Sequence, residues 1–149
     1  MFGKLTISEI DELLAKKVVG RLGCHANGVT YVVPVSYAYD GHFIYVRSFE
    51  GMKIKMLRQN PGVCFQVDDT RDFSNWKSVI CWGVFEELED KSNRDAAIEK
   101  LHSRPLPLVS SETMHVSSIW PFTDDTEQVR GIVFRIKITE QTGRFEKCA

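Results

Sequence analysis

The stretch ANGVTYVVPVSYAYDGHFIYVRS, residues 26–48, decides the fold of this chain. It contains two turn dipeptides, Asn27-Gly28 and Asp40-Gly41, and each is followed by a run rich in β-branched and aromatic residues. Asn-Gly and Asp-Gly between such runs are typical of two-residue β-hairpin turns. The sequence therefore predicts an antiparallel meander of three strands, over Val18–Ala26, Val29–Tyr39 and His42–Ser48.

Helices and further strands flank this meander. A capping box over Thr6–Glu9 opens a helix that ends at about Lys17, and apolar spacing predicts two more helices. The order α-βββ-α-ββ-α-β has no crossover helices between the first strands, so it predicts a mainly β fold with peripheral helices, closed into a small antiparallel barrel. The other predicted bounds are Glu50–Asn60 and Ser92–His102 for helices, Val63–Val67, Trp76–Leu88 and Gly131–Thr139 for strands, and Asp68–Asn75 for a polar loop.

The composition is that of an ordinary globular protein, and 149 residues predict one domain over residues 1–149. A formal net charge of −1 gives no general attraction to nucleic acid or to an anionic membrane. No apolar run approaches the roughly 20 residues needed to cross a bilayer, and no signal-peptide pattern is present, so a cytoplasmic protein is expected. The cysteine and histidine spacings match no zinc motif, and no metal site is predicted.

A candidate phosphate site lies where the third strand meets the next helix, in YVRSFEGMK, residues 45–53. Arg47 offers a forked, charge-assisted donor, Ser48 a hydroxyl and Lys53 a point charge. The free N–H groups of the helix start also favour an anion. Alternatively, Arg47 and Lys53 are solvated surface charges and Gly51 is only a turn residue, because the spacing matches no established phosphate-binding motif.

Pro34 interrupts the second strand of the meander. Because proline cannot donate to a ladder, it marks a strand edge or an interruption. The main-chain groups around Pro34–Tyr37 would then be free for the polar edge of a flat heteroaromatic ring. A plain edge-strand proline explains the same residues equally well.

Several ordered motifs carry a family resemblance. They are GRLG at 20–23, YVVPVSYAY at 31–39, IYVRS at 44–48, GMK at 51–53, LRQNPGVCF at 57–65 and WKSVICWGVFE at 76–86. Together they resemble the pyridoxamine 5′-phosphate oxidase-related flavoproteins, most closely the branch that contains nitroimidazole-resistance proteins. The resemblance covers most of Gly20–Leu88 and implies a split β-barrel of six to seven antiparallel strands, with FMN bound at the interface of a homodimer.

The resemblance also implies roles for individual residues. The segment Pro34–Tyr37 borders the isoalloxazine ring through main-chain groups, and Arg47, Ser48 and Lys53 hold the phosphate, with Met52 adjoining. The complete cofactor-binding set that it implies is Pro34, Val35, Ser36, Tyr37, Val46, Arg47, Ser48, Met52, Lys53, Trp76, Ser78 and Trp120.

The tryptophans have alternative interpretations. By resemblance, Trp76 and Ser78 approach the cofactor from the other subunit, whereas strand tryptophans are more commonly core residues. Trp120 precedes a proline in the irregular segment Arg104–Gln128 and is a further candidate for covering the ring, or else an exposed or interface residue. Trp82 is assigned to the core.

Two departures from these relatives argue against two of the activities known in the family. Arg47 stands where nitroimidazole-resistance proteins commonly have histidine, which puts reduction of those antibiotics in doubt. The C-terminal basic and aromatic signature of true pyridoxamine-phosphate oxidases is not recognisable, so vitamin B6 oxidation is not expected.

The resemblance implies an FMN-dependent oxidoreductase that takes hydride from NAD(P)H and reduces a small planar molecule, with the flavin supplying the redox chemistry. No acid–base pair or nucleophile stands out, and the catalytic residues stay unknown. One alternative is a flavin-binding module without turnover, serving as a carrier, store or sensor. Another is the same fold with a deazaflavin or haem, of which haem is disfavoured because Pro34–Tyr37 contains no histidine.

Overall fold

The computed structural model of the chain describes residues 1–104 and 131–148. This part of the chain forms three helices and seven strands, in the predicted order with one short strand added at the start. None of its helices is long and apolar enough to span a bilayer. In chain order the elements are β1 (Phe2–Lys4), α1 (Ile7–Lys16), β2 (Val19–Ala26), β3 (Val29–Tyr39), β4 (Phe43–Ser48), α2 (Met52–Gln59), β5 (Gly62–Asp72), β6 (Asn75–Glu87), α3 (Lys91–His102) and β7 (Ile132–Glu146).

The strands form one antiparallel sheet in the order β1-β7-β4-β3-β2-β5-β6, and β6 pairs again with β7. This last pairing closes β7, β4, β3, β2, β5 and β6 into a barrel, with β1 attached to the far end of β7. Closure removes the exposed edges that an open sheet of this size would carry. The mainly β, antiparallel split-barrel prediction is confirmed.

The two predicted hairpin turns are present. Asn27 and Gly28 both have positive φ, at 53° and 76°, as a two-residue turn of the mirror-image type requires. Gly41 has φ 94°, and the Asp40 carboxylate accepts the backbone N–H groups of His42 and Phe43 at 2.9 and 2.7 Å. These two turns, each specified by its own dipeptide, therefore set the register of β2, β3 and β4.

The barrel interior is filled by large apolar side chains, and α1 closes one end. The Tyr37 hydroxyl donates to the Leu14 carbonyl oxygen of α1 at 2.6 Å, and its ring meets Phe65 edge-on at 5.0 Å. Gly20 faces the same ring, and a Cβ there would lie 2.3 Å from the Phe65 Cζ. The fully buried side chains of the interior include Leu22, Tyr37, Ile44, Val46, Phe65, Val67, Val79, Phe134 and Ile136.

Three predicted boundaries were wrong. The Asp68–Asn75 loop is mostly strand, because β5 continues to Asp72 with its polar residues paired across the ladder to β6. The last strand runs past Thr139 to Glu146, where it also pairs with β1. Finally, α3 is capped by Asp90, whose carboxylate accepts the Asn93 N–H at 3.1 Å.

The assignment of Trp82 to the core was also wrong. Trp82 is 39% exposed and lies on the outer face of β6, whereas its neighbour Cys81 is fully buried inside the barrel. Because strand side chains alternate between faces, Val84 also points outward, and it is equally exposed. The outer face of β6 therefore carries apolar side chains in contact with solvent.

We predict that Gly20→Ala lowers the free energy of unfolding by about 1–3 kcal/mol, because the added methyl group overlaps the Phe65 ring. The matched control is Gly23→Ala on the same strand, where a Cβ would meet its nearest neighbour at an ordinary 3.6 Å. Urea unfolding followed by far-UV circular dichroism measures both. Equal midpoints for the two variants would contradict the close packing of Gly20 against the Phe65 ring.

Candidate functional site

β3 and β4 part beyond Tyr37, which leaves a gap, the groove, between these two strands. β3 pairs with β2 from Val29 to Ser36, but it pairs with β4 only from Tyr37 to Tyr39. The Tyr37 N–H donates to the Val18 carbonyl oxygen on the β2 side at 2.9 Å. Since main-chain groups alternate in direction along a strand, those of Ser36 and Pro34 face the opposite edge, toward the groove. Pro34 thus occupies an edge position where no ladder donor is needed.

The predicted ring segment has two faces. Val35 and Tyr37 direct their side chains into the barrel, so only their main-chain atoms are accessible from the groove. The Ser36 hydroxyl accepts a short hydrogen bond from Nη1 of Arg104, just after α3, and the same nitrogen donates to the Tyr37 carbonyl oxygen at 3.2 Å. Burial lowers the pKa of Arg104. Arg104 is not in the predicted set, because no local sequence signal indicates that α3 carries it onto β3.

The end of β4 supplies two buried polar residues. Arg47 is 8% exposed, and Ser48 is also buried, with its hydroxyl donating to the Phe49 carbonyl oxygen at 3.1 Å. Arg47 lies in register with Val133 of β7 and borders a cleft beneath α3. Its pKa is lowered first by burial and then by the positive charge of Arg94 on α3. Val46 points into the barrel interior, so it faces the groove through its main chain alone.

The first turn of α2 follows this end of β4. Its N-cap is Gly51, which has no side chain that could cap the helix, and the turn holds no acidic residue. A Cβ at Gly51 would meet nothing within 4 Å, so the described part of the chain leaves the helix start open. Exposed Met52 opens the turn, and Lys53 next to it is half-buried, with a pKa lowered by burial and partly restored by Cys24. A helix start with these properties favours an anion.

An ion-pair network holds this turn in place. Arg58 of α2 donates to both carboxylate oxygens of Glu50, at 2.5 and 3.3 Å, and to the Glu87 carboxylate of β6, at 2.6 and 3.1 Å. These bonds connect the residue before Gly51 to the barrel wall. The approach to the helix start is therefore positioned by side chains outside the predicted set.

The predicted cations are only partly brought together. Among the described residues, the charge that acts on Arg47 is that of Arg94, while Lys53 lies near Cys24 of β2. Arg47 and Lys53 thus flank the connection from β4 to α2 with different neighbours. Neither is a solvated surface charge, as the alternative interpretation required.

Trp76 and Ser78 lie elsewhere on the barrel. Trp76 Nε1 donates to the Glu146 carboxylate at 3.1 Å, and the Ser78 hydroxyl accepts from the Gln66 amide at 3.1 Å. Trp76 pairs with Glu146 of β7, nine residues beyond Lys137, the last β7 residue that pairs with β4. Within one chain, Trp76 and Ser78 therefore do not lie at the groove. Trp120 lies outside the described residues.

Within residues 1–104 and 131–148, two open clefts border α3. One of about 590 Å³ lies between α1, β3 and α3, with Tyr37, Asp40 and Arg104 in its wall. The other, of about 560 Å³, lies between β4 and α3 and includes Arg47 and Arg94. Both adjoin the region where β3 and β4 part, so this side of the barrel has room for a ligand larger than a single phosphate.

The closed antiparallel barrel, in which β3 and β4 part, places this chain in the split-barrel class of proteins. The family model described as pyridoxamine 5′-phosphate oxidase matches residues 6–145, and the chain belongs to this family.

The chain is also similar to individual proteins. A FAD-binding protein of Mesorhizobium loti, of known structure, is 33% identical with a TM-score of 0.76, and 99% of each chain is covered. A candidate 5-nitroimidazole antibiotic resistance protein of Bacteroides thetaiotaomicron shares the fold, with a TM-score of 0.72 at 20% identity over 97% of this chain and 87% of that one. An uncharacterized protein of Rhizobium meliloti (strain 1021) is 28% identical over 137 residues, which are 91% of this chain and 89% of that protein.

Proposed function

We propose that this protein binds a flavin, with its FMN portion in the groove between β3 and β4, and acts as an oxidoreductase. It takes hydride from NAD(P)H and reduces a small planar molecule. The observation that carries the proposal is the parting of β3 from β4 directly beside buried Arg47. The Mesorhizobium loti relative, described as FAD-binding, supports a flavin as the ligand.

The edge of β3 suits the ring of a flavin. Ser36 and Pro34 turn their main-chain groups toward the groove, and the flat edge-strand geometry lets a planar ring approach closely. Ser36 N–H is then a donor for the polar edge of the ring, and the missing N–H of Pro34 leaves room beside it. The guanidinium group of Arg104 is fixed at the same place by Ser36 and Tyr37.

The far side of the groove suits the flavin phosphate. Burial lowers the pKa of both Arg47 and Lys53, since removal of water disfavours a cation. A bound dianion reverses this effect by favouring the charged forms. The open N-terminus of α2 adds backbone donors and the positive end of its dipole.

When bound, the flavin accepts and delivers the reducing equivalents. The residues of the chain bind and orient it: Arg47 and Lys53 hold the phosphate, and Pro34–Tyr37 align the ring. No residue is assigned a proton-transfer role.

We also propose that two copies pair and share the cofactor site. A row of paired residues crosses the outer surface of four adjacent strands, formed by Val32, Gly23, Cys64 and Trp82. Val32 is 64% exposed, and Val84 next to the row is also exposed. A solvent-exposed apolar surface of this kind is typical of a protein interface.

The same outer face contains the residues predicted to reach the other subunit's cofactor. Trp76 and Ser78 alternate in phase with Trp82 along β6, so all three belong to the outer surface of that strand. The row ends on β3 at Val32, which is two residues from Pro34 and close to the groove. We propose that a second copy packed on this surface brings its own Trp76 and Ser78 to the groove.

We expect the purified protein to be yellow and to bleach within seconds when NADH or NADPH is added without oxygen. Absorbance near 450 nm measures the change. Reduction by dithionite but by neither nicotinamide would favour the non-catalytic flavin module instead. Colourless protein that neither FMN nor FAD can reconstitute would contradict flavin binding altogether.

Replacing Lys53 with alanine should weaken FMN binding by about 10- to 100-fold and leave riboflavin binding nearly unchanged, because only FMN carries the phosphate. The control is Lys55→Ala, which removes an equal charge from the exposed face of the same helix. Flavin fluorescence quenching during titration of the apoprotein gives the dissociation constants. Equal losses for FMN and riboflavin would remove Lys53 from the phosphate site.

Trp82→Glu should shift the protein from dimer to monomer and lower its flavin content in parallel, since it buries a charge in the proposed interface. The control is Ile7→Glu, which changes an exposed apolar residue of α1 in the same way. Light scattering coupled to size-exclusion chromatography reports the mass. A wild-type monomer, or a Trp82→Glu dimer with full flavin content, would rule out the shared site.

A further inference from the structure

The connection between β4 and α2 sets the geometry of the candidate phosphate site. Arg47 and Ser48 end β4, whereas Lys53 lies in the first turn of α2. Residues 49–51 separate the two elements. The spacing between the two halves of the site therefore depends on how this short connection is held.

Arg58 holds the connection through Glu50, which immediately precedes the N-cap Gly51. Nη1 and Nη2 of Arg58 donate to the two carboxylate oxygens of Glu50, at 2.5 and 3.3 Å, in a bidentate pair. Nε and the same Nη2 donate to the Glu87 carboxylate, at 3.1 and 2.6 Å. Because a guanidinium group presents its donors in a rigid plane, the two carboxylates are held in a fixed relative position.

Glu87 is the anchored member of this network. Its side chain is 19% exposed, against 50% for that of Glu50. Glu87 also pairs with Phe134 of β7 at the end of the β6–β7 ladder, so its backbone belongs to the barrel wall. Glu50 lies between a strand and a helix. The network thus ties the start of α2 to the wall of the barrel.

The other end of α2 is attached independently. The Asn60 amide of the C-cap donates to the His25 carbonyl oxygen at 2.8 Å. The Gln59 amide oxygen accepts a hydrogen bond from the Asn27 amide at 2.7 Å. Both bonds connect the end of the helix to the β2–β3 hairpin. Loss of the Arg58 contacts should therefore loosen the helix start while the far end stays in place.

The charges of the network oppose an anion. One guanidinium group faces two carboxylates, so the network carries an excess negative charge. By Coulomb's law alone, removing either glutamate should strengthen the binding of a phosphate nearby. A favourable effect of these glutamates on phosphate binding would have to come from geometry. Geometry and simple charge thus predict opposite signs for the same substitution.

We propose that Glu50, Arg58 and Glu87 give the site its preference for a phosphorylated flavin by fixing the start of α2 relative to β4. They are positioning residues, which act through Arg47, Lys53 and the helix N–H groups rather than by touching the phosphate. This inference rests on the proposed function, which puts the flavin phosphate at that place. Glu50 and Arg58 then support binding in the same direction despite their opposite charges.

The first test is Glu50→Ala, measured by isothermal titration of cofactor-stripped protein with FMN and with riboflavin. We expect FMN affinity to fall by about 3- to 10-fold and riboflavin affinity by less than about twofold, although a negative charge is removed near a dianion. The control is Glu89→Ala, which removes an equal charge from an exposed residue just beyond β6, outside the network. It should leave FMN affinity within about twofold of the wild type.

The second test is Arg58→Met, which should lower FMN affinity by about 5- to 20-fold and again affect riboflavin much less. Arg58→Lys keeps the charge without the fork and should fall between the wild type and Arg58→Met. Lys55→Met, an exposed position on the same helix, measures the effect of losing a cation alone. Circular dichroism and the urea midpoint verify that each variant is folded.

The outcomes separate this inference from the proposed function. Tighter FMN binding by Glu50→Ala would show that Glu50 is a repelling charge and would overturn the inference. Equal losses for FMN and riboflavin, or an Arg58→Met effect no larger than that of Lys55→Met, would also overturn it, while flavin binding stands. Wild-type protein that binds FMN no more tightly than riboflavin would instead refute the phosphate site of the proposed function.

Discussion

Three residue pairs join β3 to β4, from Tyr37–Val46 to Tyr39–Ile44, and the groove begins where this short ladder stops. The barrel is closed elsewhere by long ladders, above all between β6 and β7. Beyond Tyr37, β3 stays with β2 while β4 stays with β7, so the two backbones diverge. The divergence leaves the main-chain groups of Ser36 on one side of the gap between the strands and Arg47 on the other.

Much of the fold could be predicted because its signals are local. The Asn27-Gly28 turn and the capping box of α1 both depend on residues within one turn of each other, and both are present. The second half of β5 could not be predicted in this way. Its polar residues are held in strand conformation by pairing with β6, a partner that local composition does not reveal.

The position of Trp82 shows a different limit. On β6, the inward series Val79, Cys81 and Phe85 and the outward series that includes Trp82 and Val84 are both apolar, so alternation alone cannot tell inside from outside. At the candidate site, the sequence pattern indicates Arg47 and Lys53 because they flank Gly51 between a strand and a helix. Arg94 and Arg104 carry no motif, and their importance emerges only from the docking of α3 across β3, β4 and β7.

The long strand β7 has a consequence for how the chain matures on the ribosome. β7 pairs with β1, β4 and β6, yet it is the last of the described strands to be synthesised. Until it emerges, β4 and β6 each present an unsatisfied edge, which is a hazard for aggregation in a nascent chain. Because Arg47 lies on β4 and Arg94 is anchored just before β7, the proposed cofactor site is complete only once β7 has paired with β4.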